Sequence, residues 1–134
     1  MILPDTSAWI EYLRATGSST DVRMLNLVDS DDLATTGAVV MELVAGTRSS
    51  TELGSVQRLA LSCRLLPARD PDDYLLAATI YRACRRAGET IRTMLDCMIS
   101  AVAIREGAEI LHHDRDFEVI ARHTPLVLVG RLHR

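Results

Sequence analysis

Lysine is missing from this chain: all 15 basic residues among its 134 are arginine. A GC-rich genome produces that bias without any function, so the absence is informative for what it excludes, namely any chemistry that needs a lysine. Aromatic residues are scarce at 4%, which excludes an extensive base-stacking platform if the partner is a nucleic acid. No apolar run reaches the roughly 18 residues of a membrane span. Met1 is followed by Ile2, Leu3, Pro4 and Asp5. With no cationic segment and no apolar leader there, a cytoplasmic protein without a signal peptide is expected. The three cysteines, Cys63, Cys84 and Cys97, are spaced like neither a zinc site nor a disulfide framework. They read as reduced thiols in apolar positions.

What remains is an ordinary globular composition, 48% hydrophobic and 25% charged, at the commonest size for one domain. No repeat, linker or low-complexity stretch divides it, so one domain over residues 1–134 is expected. Ile2 to Pro4 reads as a short buried strand that ends in Asp5. A helix follows in which Trp9, Ile10 and Leu13 share a face and Thr6 or Ser7 caps the start. Gly17 to Thr20 breaks it. In the next helix Val22, Met24, Leu25 and Val28 recur at helical spacing. Leu33 to Thr36 is a strand candidate.

Ala38 to Gly46 is apolar on every side except at Glu42, and a helix that is apolar all round is normally buried. A lone carboxylate there is costly unless it is paired or holds a metal. Thr51 to Ser62 reads as an amphipathic helix, with a short strand around Arg64 to Leu66. Asp70-Pro71-Asp72-Asp73 reads as a helix start, Asp70 capping and Pro71 at the first position, which explains those acids without chemistry. That helix carries Tyr74, Ala77, Ala78 and Tyr81 on one face, ends in the basic stripe Arg82, Arg85 and Arg86, and stops at Gly88.

Between Thr90 and Glu106, Leu95, Met98, Ile99 and Val102 give a core face to a helix ending before Gly107. Glu109 to Asp114 repeats the opening pattern, an apolar strand running into a carboxylate. A helix from Arg115 and a last strand at Leu126 to Val129 complete the chain. Short strands alternating with helices point to an α/β fold around a parallel sheet.

Five acids stand out by position: Asp5, Glu42, Asp96, Asp114 and Asp116. Asp5 and Asp114 end strands, at the same edge if the strands are parallel. Asp96 opens a helix, which would begin at that edge too, so several carboxylates are expected to converge in one crevice. Like charges that close do not all ionise. A divalent cation resolves the conflict, and oxygen-only ligands select Mg²⁺, with Mn²⁺ as substitute, over zinc. Each acid also has a structural alternative. Asp5 could be a helix cap, Thr93 to Asp96 has the spacing of a capping box, and Asp116 could be an ordinary acid in a first turn. His112 and His113 lack the companions of a softer metal site and read as packing or surface residues.

Asp-Thr-Ser-Ala-Trp from Asp5, Met-Glu-Leu-Val-Ala-Gly around Glu42, Leu-Asp-Cys-Met-Ile-Ser-Ala-Val-Ala around Asp96 and His-Asp-Arg-Asp-Phe from His113 resemble the motifs of PIN domains. Their order and spacing, and the stretch Arg85 to Arg92, resemble the VapC ribonuclease toxins of bacterial toxin–antitoxin pairs. The resemblance implies an α/β/α sandwich with a central, mostly parallel sheet of four to five strands. It implies metal-dependent endoribonuclease activity on RNA, with Asp5 and Asp96 holding Mg²⁺ most directly and Glu42 binding metal or positioning water. Asp114 or Asp116 completes the site, and one or two metals fit. A VapB-type antitoxin reaching into the acidic groove and a homodimer are implied as partners. One departure is Pro4, where these toxins carry an aliphatic residue. Proline donates no ladder hydrogen bond, so local unpairing is expected there.

Removing the five site acids from a formal net charge of −3 leaves +2, a remainder compatible with RNA. Arg82, Arg85, Arg86 and Arg92 are the candidates to grip phosphates through bidentate guanidinium geometry. A phosphotransfer receiver domain and a haloacid-dehalogenase-type phosphatase both gather acids at a sheet edge, and both need a lysine. The rivals that remain are a non-catalytic PIN-like binding module and a structure-specific nuclease acting on another nucleic acid.

Overall fold

The computed structural model describes residues 1–130, so the expected domain limit at residue 134 lies outside the described residues. Its elements follow in the order β1 (Ile2–Pro4), α1 (Thr6–Leu13), α2 (Ser19–Leu27), β2 (Ala34–Thr35), α3 (Gly37–Ala45), α4 (Ser50–Ser62), β3 (Arg64–Leu65), α5 (Asp72–Arg86), α6 (Met94–Glu106), β4 (Glu109–Leu111) and α7 (Arg115–His123).

Two parallel ladders form, β1 with β4 and β2 with β3. Single parallel bridges, Ile2 to Leu33 and Ile110 to Leu128, extend the order to β3-β2-β1-β4-Leu128. The expected last strand is therefore reduced to one bridge, held by Ile110 N–H to Val127 O and Val129 N–H to Ile110 O. Pro4 pairs with Leu111 in the β4 ladder, contrary to the expected unpairing. Alternate residues of a strand donate to opposite neighbours. Ile2 donates toward β2, at Asp32 O, and Asp5 donates toward β4, at Leu111 O. The donor that Pro4 lacks thus falls on the β2 side, where pairing shrinks to the single Ile2 bridge.

The chain winds from β1 outward to β2 and β3, then returns to place β4 on the other side of β1. In such sheets a crevice opens beyond the strand ends where the order reverses. Here that point lies between β1 and β4, and Asp5 and Asp114 stand beside it.

The centre of the fold is α6, in which Cys97, Ile99, Ser100, Ala101, Val102 and Ala103 are all buried. Its small residues let α5 approach closely through Ala77, Ile80 and Cys84. The buried face of α5 is therefore Asp73, Ala77, Ile80 and Cys84, and Tyr74 is exposed, which corrects the expected face. The cap is corrected as well. Pro71, not Asp70, holds the N-cap position and makes no side-chain bond; Asp73 reaches back to accept from Arg69 N–H at 2.8 Å.

Asp73 is only 1% exposed. The Arg105 guanidinium donates Nε to its Oδ1 at 2.9 Å and Nη2 to its Oδ2 at 2.9 Å, and also reaches Pro67 O. Removing one partner of such a buried pair costs about 3–5 kcal/mol, because the other charge is left uncompensated.

The expected all-round burial of the third helix is not met, and α2 leaves apolar surface open in the same way. Helix α3 buries only Val39, and Met41 is exposed. Helix α2 buries Thr20, Asp21 and Met24 and leaves Val22 and Leu25 exposed. In both, the apolar pattern continues onto surface that no described residue covers. Among the described residues no helix is long and apolar enough to cross a membrane.

Candidate active site

Asp5 ends β1 and is itself the N-cap of α1, with φ −78° and ψ 179°. Thr6 and Ser7 are therefore not the cap, and the choice between cap and site residue dissolves. Oδ1 does the capping: it accepts the Ser7 hydroxyl at 2.7 Å and Ala8 N–H at 3.1 Å. The Ser7 hydroxyl also accepts His113 N–H at 2.8 Å, which ties the end of β1 to the loop after β4. Burial pushes the Asp5 carboxyl up to about 6, against the lowering effect of the Ser7 and Ala8 hydrogen bonds.

Asp96 lies in the first turn of α6 and is 6% exposed. The capping-box reading does not hold. Thr93 caps the helix by accepting Leu95 N–H at 3.1 Å, and Asp96 Oδ2 is buried with no hydrogen-bond partner among the described residues. Its carboxyl is pushed up to about 7, first by burial and then by Asp114, Asp5, Glu42 and Asp116. Four other acids act on one side chain; the expected convergence is real in space.

Glu42 comes from α3 and is half-buried. Its Oε1 accepts the Thr6 hydroxyl at 2.7 Å. Asp114 caps α7 by accepting Asp116 N–H at 3.0 Å. Oxygen atoms of Asp96, Asp114 and Asp116 lie within 4.8 Å of one another. The two acids of the last motif are not equivalent, however. Asp5, Glu42, Asp96 and Asp114 line one crevice of about 340 Å³ together with Thr6, Ser7 and Arg92. Asp116 is buried behind it, its Oδ2 occupied by Arg92 Nε at 3.1 Å and Arg92 N–H at 3.2 Å.

An unpartnered buried carboxylate oxygen within an all-oxygen donor set suits a hard divalent cation. Without one, the desolvation of Asp96 is uncompensated, whereas Arg92 offsets the repulsion at Asp114 and Asp116. The donors fit.

His112 and His113 take no part in this set. His112 stacks on Phe117 and approaches Glu118 Oε1 at 3.2 Å, and His113 Nε2 lies 3.5 Å from Glu11 Oε1. Arg82, Arg85 and Arg86 are exposed on α5, Arg85 lying over the Tyr81 ring. Of the four candidate phosphate ligands only Arg92 lines the crevice.

Sequence reasoning missed a second, larger groove. About 610 Å³ in volume, it continues from the crevice through Thr6, Ile10 and Glu42, and Arg14 and Arg48 lie on its wall. Arg14 sits just past α1 and Arg48 just before α4. Their only signal in the sequence was position at helix ends.

Residues 2–123 match the model of the PIN domain. A VapC ribonuclease of Mycobacterium bovis is 47% identical over 128 residues, covering 94% of this chain and 96% of that protein. Ribonuclease VapC11 of Mycobacterium tuberculosis gives the same figures, 47% over 94% of this chain and 96% of its own length. Among solved structures, DNA-bound VapBC from Salmonella typhimurium shares the fold, with a TM-score of 0.75 at 20% identity over 96% of this chain and 97% of that one. With the carboxylates of all four motifs brought to one sheet edge, the chain belongs to the PIN-domain family and, within it, to the VapC ribonucleases.

Proposed function

We propose that this protein, as one domain spanning residues 1–134, is the toxin of a type II toxin–antitoxin pair and a Mg²⁺-dependent endoribonuclease of the cytoplasm. The single observation that carries the reading is Asp96: a buried carboxylate with an unpartnered oxygen, facing three crevice acids, in a chain 47% identical to VapC ribonucleases. In the crevice Asp5, Asp96 and Asp114 would hold the cation, with Glu42 beside them. Asp116 acts through Arg92 and is a positioning residue. When bound, the metal supplies charge neutralisation at the phosphoryl oxygens and lowers the pKa of water.

The chain's own residues do the rest. Ser7 holds Asp5 Oδ1, which fixes the carboxylate where it lines the crevice. Thr6 occupies Glu42 Oε1, which leaves Oε2 to take the proton of a water attacking phosphorus in line. Arg92 stands where a phosphate entering the crevice is gripped, and Arg82, Arg85 and Arg86 present a weaker, outer cationic face.

Exposed apolar side chains support the partner readings, a VapB-type antitoxin and a second copy of the chain. Leu13, Val22, Leu25 and Met41 lie on α1 to α3, and Leu61, Leu65, Tyr74 and Leu75 lie along α4, β3 and α5. Surface of this kind in a single chain marks protein interfaces.

The test is a map of cleavage sites in total RNA after induction, with wild type set beside Asp96→Asn. Discrete sites that vanish in the variant are expected. Identical maps would remove the assigned chemistry.

A further inference from the structure

Among the described residues Arg92 is the one cation lining the crevice, and its geometry is unusual for a residue that only waits for RNA. It sits in the loop between α5 and α6. Its neighbour Glu89 is pinned to α7 by Arg122 and by His123 Nε2 at 2.6 Å. The base of the side chain is fixed too, because the backbone N–H and Nε of Arg92 both donate to buried Asp116 Oδ2. The tip is not fixed in that way. Nη2 reaches Asp114 Oδ1 at 2.6 Å, and the side chain as a whole is 68% exposed. The guanidinium is thus a head anchored along one edge on Asp116, with its free end resting on a crevice acid.

We infer that Arg92 is a resident counter-cation: it competes with the divalent ion for Asp114 and passes to a substrate phosphate once that carboxylate is engaged. The inference rests on the metal reading of the site and goes past it, because it gives Arg92 opposite effects on two ligands. Guanidinium stays charged at every relevant pH, so this competition is not relieved by deprotonation. Its exposure means that leaving Asp114 costs little packing, and an exposed pair contributes little to folding. Held on Asp116 through Nε, the freed end remains in the crevice, where the four N–H donors of its two Nη groups suit phosphate oxygens. Charge is the quantity that matters for the competition. Fork geometry matters for the phosphate.

The experiment is Mn²⁺ titration by calorimetry at pH 8 and low salt, on wild type, Arg92→Gln and Arg92→Lys, each first shown to melt cooperatively. Arg92→Gln is expected to bind Mn²⁺ roughly tenfold tighter, the size of effect a neighbouring charge exerts on a coupled site. Arg92→Lys keeps the charge and is expected within about twofold of wild type on the same basis. Single-stranded RNA binding at saturating Mn²⁺ should weaken in both variants, since neither restores the fork. Mn²⁺ affinity that is equal or weaker in Arg92→Gln overturns the inference while leaving the metal site standing. Absence of Mn²⁺ binding in every form overturns the metal reading and this inference with it.

Discussion

Two buried aspartates open neighbouring helices of this protein, and they are opposites. Asp73 in the first turn of α5 is 1% exposed and Asp96 in the first turn of α6 is 6% exposed. Arg105 and the Arg69 N–H saturate Asp73, and the Arg105 hydrogen bonds hold its carboxyl below the usual range. Asp96 has an orphaned oxygen and other carboxylates for neighbours, and burial holds its carboxyl up near 7. The difference separates an acid that stabilises the fold from one that, on the proposed function, is kept at a cost for a metal. Burial alone does not distinguish them; the sign of what surrounds each does.

Breaking the comparison at Asp96 should have the largest effect. Asp96→Asn is expected to lower RNA cleavage at saturating Mg²⁺ by about a thousandfold or more, since it removes a group the reaction needs as charge. Breaking it at Asp73 should do the reverse. Asp73→Asn is expected to destabilise the protein by about 3–5 kcal/mol in urea denaturation, as for any severed buried pair. The fraction that stays folded should cleave RNA at close to the wild-type rate.

How much of this was legible in the sequence follows the same division. Asp5 and Asp114 could be read because each ends an apolar strand, and Glu42 because it stands alone in an apolar helix. Asp96 could be read as well, though its capping-box alternative needed the structure to remove it. Asp73 was taken for a helix-opening acid only, because its partner Arg105 lies 32 residues away and no local period announces it. The roles of Asp114 and Asp116 differ by which carboxylate Arg92 Nε grips, a matter of rotamer and loop path. The apolar pattern of α3 misled because apolarity marks surface to be covered, not whether this chain or a partner covers it.

The comparison sharpens with pH. An ordinary aspartate titrates near 3.8, whereas folded Asp5 and Asp96 hold their protons to about 6 and about 7. Between those limits the metal-free folded state binds protons that the unfolded state has lost. Stability from these groups therefore falls as pH rises from about 4 to about 7. Asp73 contributes in the other direction: its stabilisation is present above the ordinary carboxylate value and is lost as pH falls below it. Thermal melts of metal-free wild type should thus decline from pH 5 to pH 8 by several degrees, about 2–8 °C for each kcal/mol. The decline should flatten in Asp96→Asn. A smaller effect is expected at the outer arginines. Arg82→Ala should weaken RNA binding about twofold and reduce its salt dependence by about one phosphate contact.

The most direct measurement is the melting temperature at pH 8 as Mn²⁺ is added, for wild type and Asp96→Asn side by side. A cation that binds only the folded state raises its stability by mass action. Wild type should start lower and climb to a plateau with added Mn²⁺, whereas the variant should start higher and stay level. Equal, saturable rises in both proteins would contradict the claim that the unpartnered Asp96 carboxylate is held for a metal.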